Sequence, residues 1–88
     1  MSDTDSITRE EALAALNDPE KGSLAVLKAV GKTKDQYARQ LEAGVKTLKA
    51  KNPFEQACAE VAVKDFIEDR KESGMDVPDD LAVVLTGT

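Results

Sequence analysis

Residues 22–51, GSLAVLKAVGKTKDQYARQLEAGVKTLKAK, restrict the fold more than any other part of this chain. Leu24, Val26, Leu27 and Val30 form an apolar segment, and Gly31 interrupts it. Thr33-Lys34-Asp35-Gln36 then has the S/T-x-x-E/Q form of a capping box. In that box a hydroxyl takes one orphan backbone N–H and the fourth side chain reaches back to the cap. Behind it, Tyr37, Leu41, Val45 and Leu48 recur at steps of four, four and three, which is one face of a helix. The pattern predicts a helix up to Val30, a tight turn at Gly31, and a further helix over 34–51. Gly44 would sit inside that helix, at a cost of about 1 kcal/mol against Ala.

Two helices joined by a short turn containing Gly are the helix-turn-helix pattern. Charge points the same way. The chain carries a net −5, yet residues 21–51 hold eight basic residues against two acids, a local +6. Residues 1–20 sum to −5 and residues 52–88 to −6, so one basic block lies between acidic flanks. Phosphates respond to the local field, within about 8–10 Å at cell-like salt, so the segment outweighs the whole-chain pI.

The rest of the chain reads as further helices. Thr8-Arg9-Glu10-Glu11 is another capping box, followed by Ala12, Leu13 and Leu16 on a short helix that Asn17-Asp18-Pro19 stops. Ser23 is placed to cap the second helix. Asn52-Pro53-Phe54-Glu55 begins a fourth, which runs to about Glu72 and ends at Ser73-Gly74. Phe54, Cys58 and Val61 lie on one face of it, and Ala59, Val63, Phe66 and Ile67 on another. Such a width exceeds the ~100° stripe that one neighbour requires. Either a second subunit covers Phe54, Cys58, Val61, Val63, Phe66 and Ile67, or the chain's own C-terminal tail does. In that tail Leu81-Ala82-Val83-Val84-Leu85 fits helix or strand, and a short helix is expected. Residues 1–6 are polar and expected to fray.

The predicted fold is therefore all-α: one compact domain with a helix-turn-helix region over 1–52 and a C-terminal helix and tail over 53–88. Three aromatics and no Trp make its core thin, so a homo-oligomer is expected. No apolar run exceeds five residues, which excludes a membrane span. A polar start and the single Cys58 predict a cytoplasmic protein. With no His, imidazole catalysis and most zinc sites are excluded. Acidic neighbours such as Glu68 and Asp69 point ~100° apart on a helix and form no shared site. The chain is expected to be no enzyme and to hold no metal or cofactor.

Helix-turn-helix proteins insert the N-terminal part of their second helix into the major groove. Lys34, Gln36, Arg39 and Gln40 are placed for that role, with Thr33 as the cap. Arg39 suits guanine and Gln40 adenine. Lys28, Lys32, Lys46 and Lys49 fit phosphates of double-stranded DNA. The run Gly31-Lys32-Thr33, then Gln36-Tyr37-Ala38-Arg39-Gln40-Leu41, resembles the G-V-S-x-x-T-V-x-R-x-L run of homeodomain-like and resolvase-like helix-turn-helix domains. Gly31, Thr33, Arg39 and Leu41 match, and Lys32 stands where that run has an apolar residue. Residues 7–50 also resemble the N-terminal region of small terminase subunits of tailed phages. That resemblance implies recognition of viral DNA for packaging, a ring built by a helical segment, and a large terminase subunit as partner. The alternative is a small acidic phage protein that binds and inhibits or adapts a host or virion protein without touching DNA.

Overall fold

Four polar side chains set where the helices begin. The computed structural model describes residues 7–86; the expected fraying of residues 1–6 lies outside the described residues. The Thr8 hydroxyl accepts from the Glu11 N–H at 3.1 Å and opens α1, Arg9–Asn17. Asp18 accepts from Glu20 N–H at 3.2 Å and opens one turn of 3-10 helix, Pro19–Lys21. Ser23 accepts from Val26 N–H at 3.3 Å and opens α2, Leu24–Glu42. Asn52 accepts from Glu55 N–H at 2.8 Å and opens α3, Pro53–Glu72, with Pro53 in the first position. Each cap satisfies a donor that no carbonyl inside the helix can reach.

The helix-turn-helix and the all-α fold are both overturned. Leu24–Glu42 is one continuous helix, so Gly31 makes no turn and Thr33 lies in mid-helix as no cap. A glycine inside a helix costs about 1 kcal/mol, which is too little to break one whose two halves pack into the same core cluster. Val30, Tyr37 and Leu41 are all buried, so a single stripe passes through Gly31 without changing phase. The helix stops instead at Gly44, whose φ of 95° is left-handed and strains any residue bearing a Cβ. There Gly44 N–H donates to the Leu41 carbonyl and Val45 N–H to the Gln40 carbonyl, both at 3.0 Å, in a Schellman motif. The same arrangement ends α3 at Gly74, where Met75 N–H donates to the Arg70 carbonyl at 2.9 Å.

Residues 47–50, expected as helix, form strand β1, Thr47–Ala50. The tail, expected as a short helix, forms strand β2, Ala82–Leu85. The two pair in parallel, Thr47 with Ala82 through Ala50 with Leu85. Parallel neighbours need a crossover of a dozen residues or more, and α3 supplies it. Arg70 steadies the return by donating to the Asp76 carbonyl at 3.0 Å while its guanidinium lies over the Phe66 ring. Among the described residues there are three α-helices and one two-stranded sheet, not four helices.

At the centre, α3 packs against α1, α2, β1 and β2. Lys34 pairs with Asp65 and Tyr37 meets Glu55, so polar contacts tie α2 to α3 at two points. The small residues Ala57, Cys58, Ala59 and Ala62 on α3, with Ala12 and Ala15 on α1, are buried and let the helices approach closely. The wide apolar surface of α3 thus meets helices and both strands of its own chain. Among the described residues, no helix is long and apolar enough to cross a membrane.

Candidate nucleic-acid interface

Because Val30, Tyr37 and Leu41 face inward, the opposite side of α2 faces solvent. At about 100° per residue, Lys28, Lys32 and Arg39 fall within about 40° of one another, with Gln36 at the edge. All four are exposed, and the stripe from Lys28 to Arg39 is about 16 Å long. Lys32, Asp35, Gln36 and Arg39 line an open depression on this surface. Arg39 pairs with Asp35 at 3.1 Å, one turn back on the same face. Side-chain exposures of 80% and 63% make that pair weak, so a phosphate or base edge could displace Asp35 at little cost. No acid of the described residues lies within 4.0 Å of the Lys28 or Lys32 ammonium.

The other expected DNA contacts go elsewhere. Lys34 turns to α3 and pairs with Asp65. Thr33 and Gln40 are half-buried at the flanks of the stripe. Lys46 precedes β1 and pairs with Asp80 at 3.3 Å. Lys49 lies on the solvent side of the sheet, opposite Val84. Of the nine residues, four form one surface. Asp35 was missed as a member of it, although its i,i+4 spacing to Arg39 was there to read.

Of the six residues expected to form a subunit interface, two lie inside the core and four are partly exposed. Phe54 and Cys58 are 2% and 0% exposed, inside the core. Val63 and Phe66 pack partly buried against it, and Val61 and Ile67 are half-buried.

Below the stripe, one polar cluster joins α2, β1 and α3. The Tyr37 hydroxyl lies 3.0 Å from both the Lys49 carbonyl and a Glu55 carboxylate oxygen, and its one proton serves the two acceptors. Glu55 also accepts from Lys51 N–H at 3.2 Å. Burial, reinforced by the Glu55 carboxylate, holds the Tyr37 hydroxyl well above its ordinary ionisation range. Burial and the same carboxylate push the Cys58 thiol up to about 11. Both groups hold their protons more tightly folded than unfolded. Their stabilising effect is therefore complete below the unfolded values, about 8.5 for Cys and 10 for Tyr, and is lost as pH rises through the folded ones. Urea denaturation is expected to show stability falling above about pH 9. Tyr37→Phe should cost about 1–3 kcal/mol at neutral pH and flatten the decline above about pH 10. A variant that declines as steeply as the parent would show that Tyr37 is not the group being titrated.

Fold and surface together define a small α+β module with one basic helix face and no cluster of metal-binding side chains among the described residues. In comparison with known proteins, no family model matches the chain, and no curated protein and no solved structure matches it.

Proposed function

We propose that this chain is a non-enzymatic module that binds double-stranded DNA with the outward face of α2, in a viral DNA-packaging role like that of small terminase subunits. The observation that carries the reading is the co-alignment of Lys28, Lys32, Gln36 and Arg39 on one exposed stripe, with both lysines free of acid partners among the described residues. A major groove about 12 Å wide admits a helix. In this arrangement Lys28 and Lys32 meet phosphates, while Gln36 and Arg39 reach base edges. The helix presents its middle rather than its N-terminus, since no turn precedes Lys32.

The test is fluorescence anisotropy on duplex DNA across a salt series. Each phosphate contact contributes about −0.9 to the slope of log affinity against log salt. Lys28→Ala with Lys32→Ala is expected to reduce that slope by about 2 and weaken binding to all sequences alike. Absence of binding at low salt, or an unchanged slope in the double variant, would reject DNA as the ligand.

A second reading rests on a different observation: Lys34 and Lys46 are paired with acids of this chain, which lowers the field of the basic block. On that reading the chain is a small acidic protein that docks on a host or virion protein. Capture of a single protein by chain that shifts no DNA would favour it.

A further inference from the structure

The two edges of the small sheet differ. Ala82 N–H donates to the Lys46 carbonyl at 3.0 Å and Thr86 N–H to the Ala50 carbonyl at 2.6 Å, so the even-numbered residues of β2 turn toward β1. Alternation along the strand turns the backbone groups of Val83 and Leu85 to the other side. Among the described residues, no segment outside the sheet hydrogen-bonds to them. By the same alternation Lys49 of β1 turns its backbone outward, but there the Tyr37 hydroxyl meets its carbonyl and Glu55 takes the Lys51 N–H, so part of that edge is occupied. Among the described residues, β2 is thus the more open edge of the sheet, with all four outward groups of Val83 and Leu85 unpaired. Along this edge Val84 and Leu85 are 42% and 49% exposed. An apolar edge of this kind is a template for a further strand.

We infer that the strand it takes is β2 of a second copy, paired antiparallel about a two-fold axis through Val84. In that register Val83 of each copy exchanges backbone hydrogen bonds with Leu85 of the other, and Val84 faces itself. The four open groups on each strand are satisfied at once, and the pairing closes without leaving a new edge on β2. Both α3 helices then cover one face of a four-stranded sheet ordered β1-β2-β2-β1, and Leu85 of each copy gains an apolar neighbour. Charge complements the register. Position 86 of the second copy faces Ala82, and Lys51 follows the β1 residue paired beside position 85. Lys51 of one copy therefore lies about two strand spacings, about 9.6 Å, to the side of Ala82 of the other, and Asp79 stands three residues before that strand start, while Asp80 is held by Lys46 of its own copy. Lys51 and Asp79 are both exposed and have no ion-pair partner among the described residues. Lys–Asp attraction across the pair favours a second copy over an arbitrary extended peptide.

Sedimentation equilibrium on the full chain, up to about 1 mM, tests this; so short an interface belongs to the weak class, with dissociation in the micromolar to millimolar range. A monomer–dimer equilibrium is expected. Val84→Lys, which sets two ammonium groups on the axis, should abolish it with the circular dichroism unchanged. Lys51→Asp should weaken the dimer about tenfold, and adding Asp79→Lys should restore it, independently of how Val84→Lys folds. A monomer at every concentration, a dimer indifferent to Val84→Lys, or a charge swap without rescue would each overturn the pairing. The DNA reading is separable, because Val84→Lys leaves the α2 stripe intact.

Discussion

Phe54→Ala is expected to remove about 3–5 kcal/mol of stability, because it truncates the largest fully buried side chain. Phe54 stands in the first turn of α3, in one cluster with Tyr37, Leu41 and Leu48. The ring is 2% exposed, and these cluster members sit on two other elements, α2 and β1, so no single one can collapse into the space. Against the roughly 5–15 kcal/mol that holds a typical domain together, such a loss is large. For a chain of this size it corresponds to a fall in Tm of more than about 12 °C. Thermal and urea denaturation at two protein concentrations measure it. If Phe54 instead met a second subunit, the loss would shrink on dilution and the monomer would be indifferent. A concentration-dependent loss, or one below about 1 kcal/mol, would move Phe54 out of the core.

Leu48→Ala should cost about 2–5 kcal/mol and act first on the sheet. Leu48 is fully buried on the inner side of β1 and pairs with Val83 on β2. It anchors β1 to the core; β1 in turn holds β2, since β2 has no other strand beside it among the described residues. Hydrogen exchange should accordingly speed at Ala82 and Thr86, whose amides donate to Lys46 and Ala50. The variant also discriminates between strand and helix at residues 47–50. In an exposed helix end, Ala replaces Leu with a slight gain from propensity. An unchanged or improved stability would restore the helix and remove the sheet.

The places where the sequence reading held are local. Thr8, Ser23 and Asn52 were legible as caps because an N-cap needs only an oxygen and an N–H two or three residues on. Gly74 was legible as a left-handed stop because a residue without a Cβ takes positive φ at little cost. Gly31 misled because a glycine beside a threonine imitates a turn, whereas the buried phase of Val30, Tyr37 and Leu41 was the better guide. Val45 and Leu48 extended the apolar period past Gly44 only by coincidence, since the chain changes from helix to strand between them. At the candidate interface, the helix face of Lys28, Lys32, Gln36 and Arg39 follows from spacing alone once α2 is known to be continuous. The diversion of Lys34 to Asp65 and of Lys46 to Asp80 was not legible, because each partner arrives from a distant part of the chain.

Composition and spacing by themselves determined the helix starts after Thr8, Ser23 and Asn52, though they also suggested a false one at Thr33, and that no imidazole is present for catalysis. Tertiary structure alone decided that residues 24–42 form one rod and that 47–50 and 82–85 meet as parallel strands. Four-residue strands have no stability apart from the ladder and the helix that covers them. Their conformation is set by α3, which carries the chain from one to the other and packs against both.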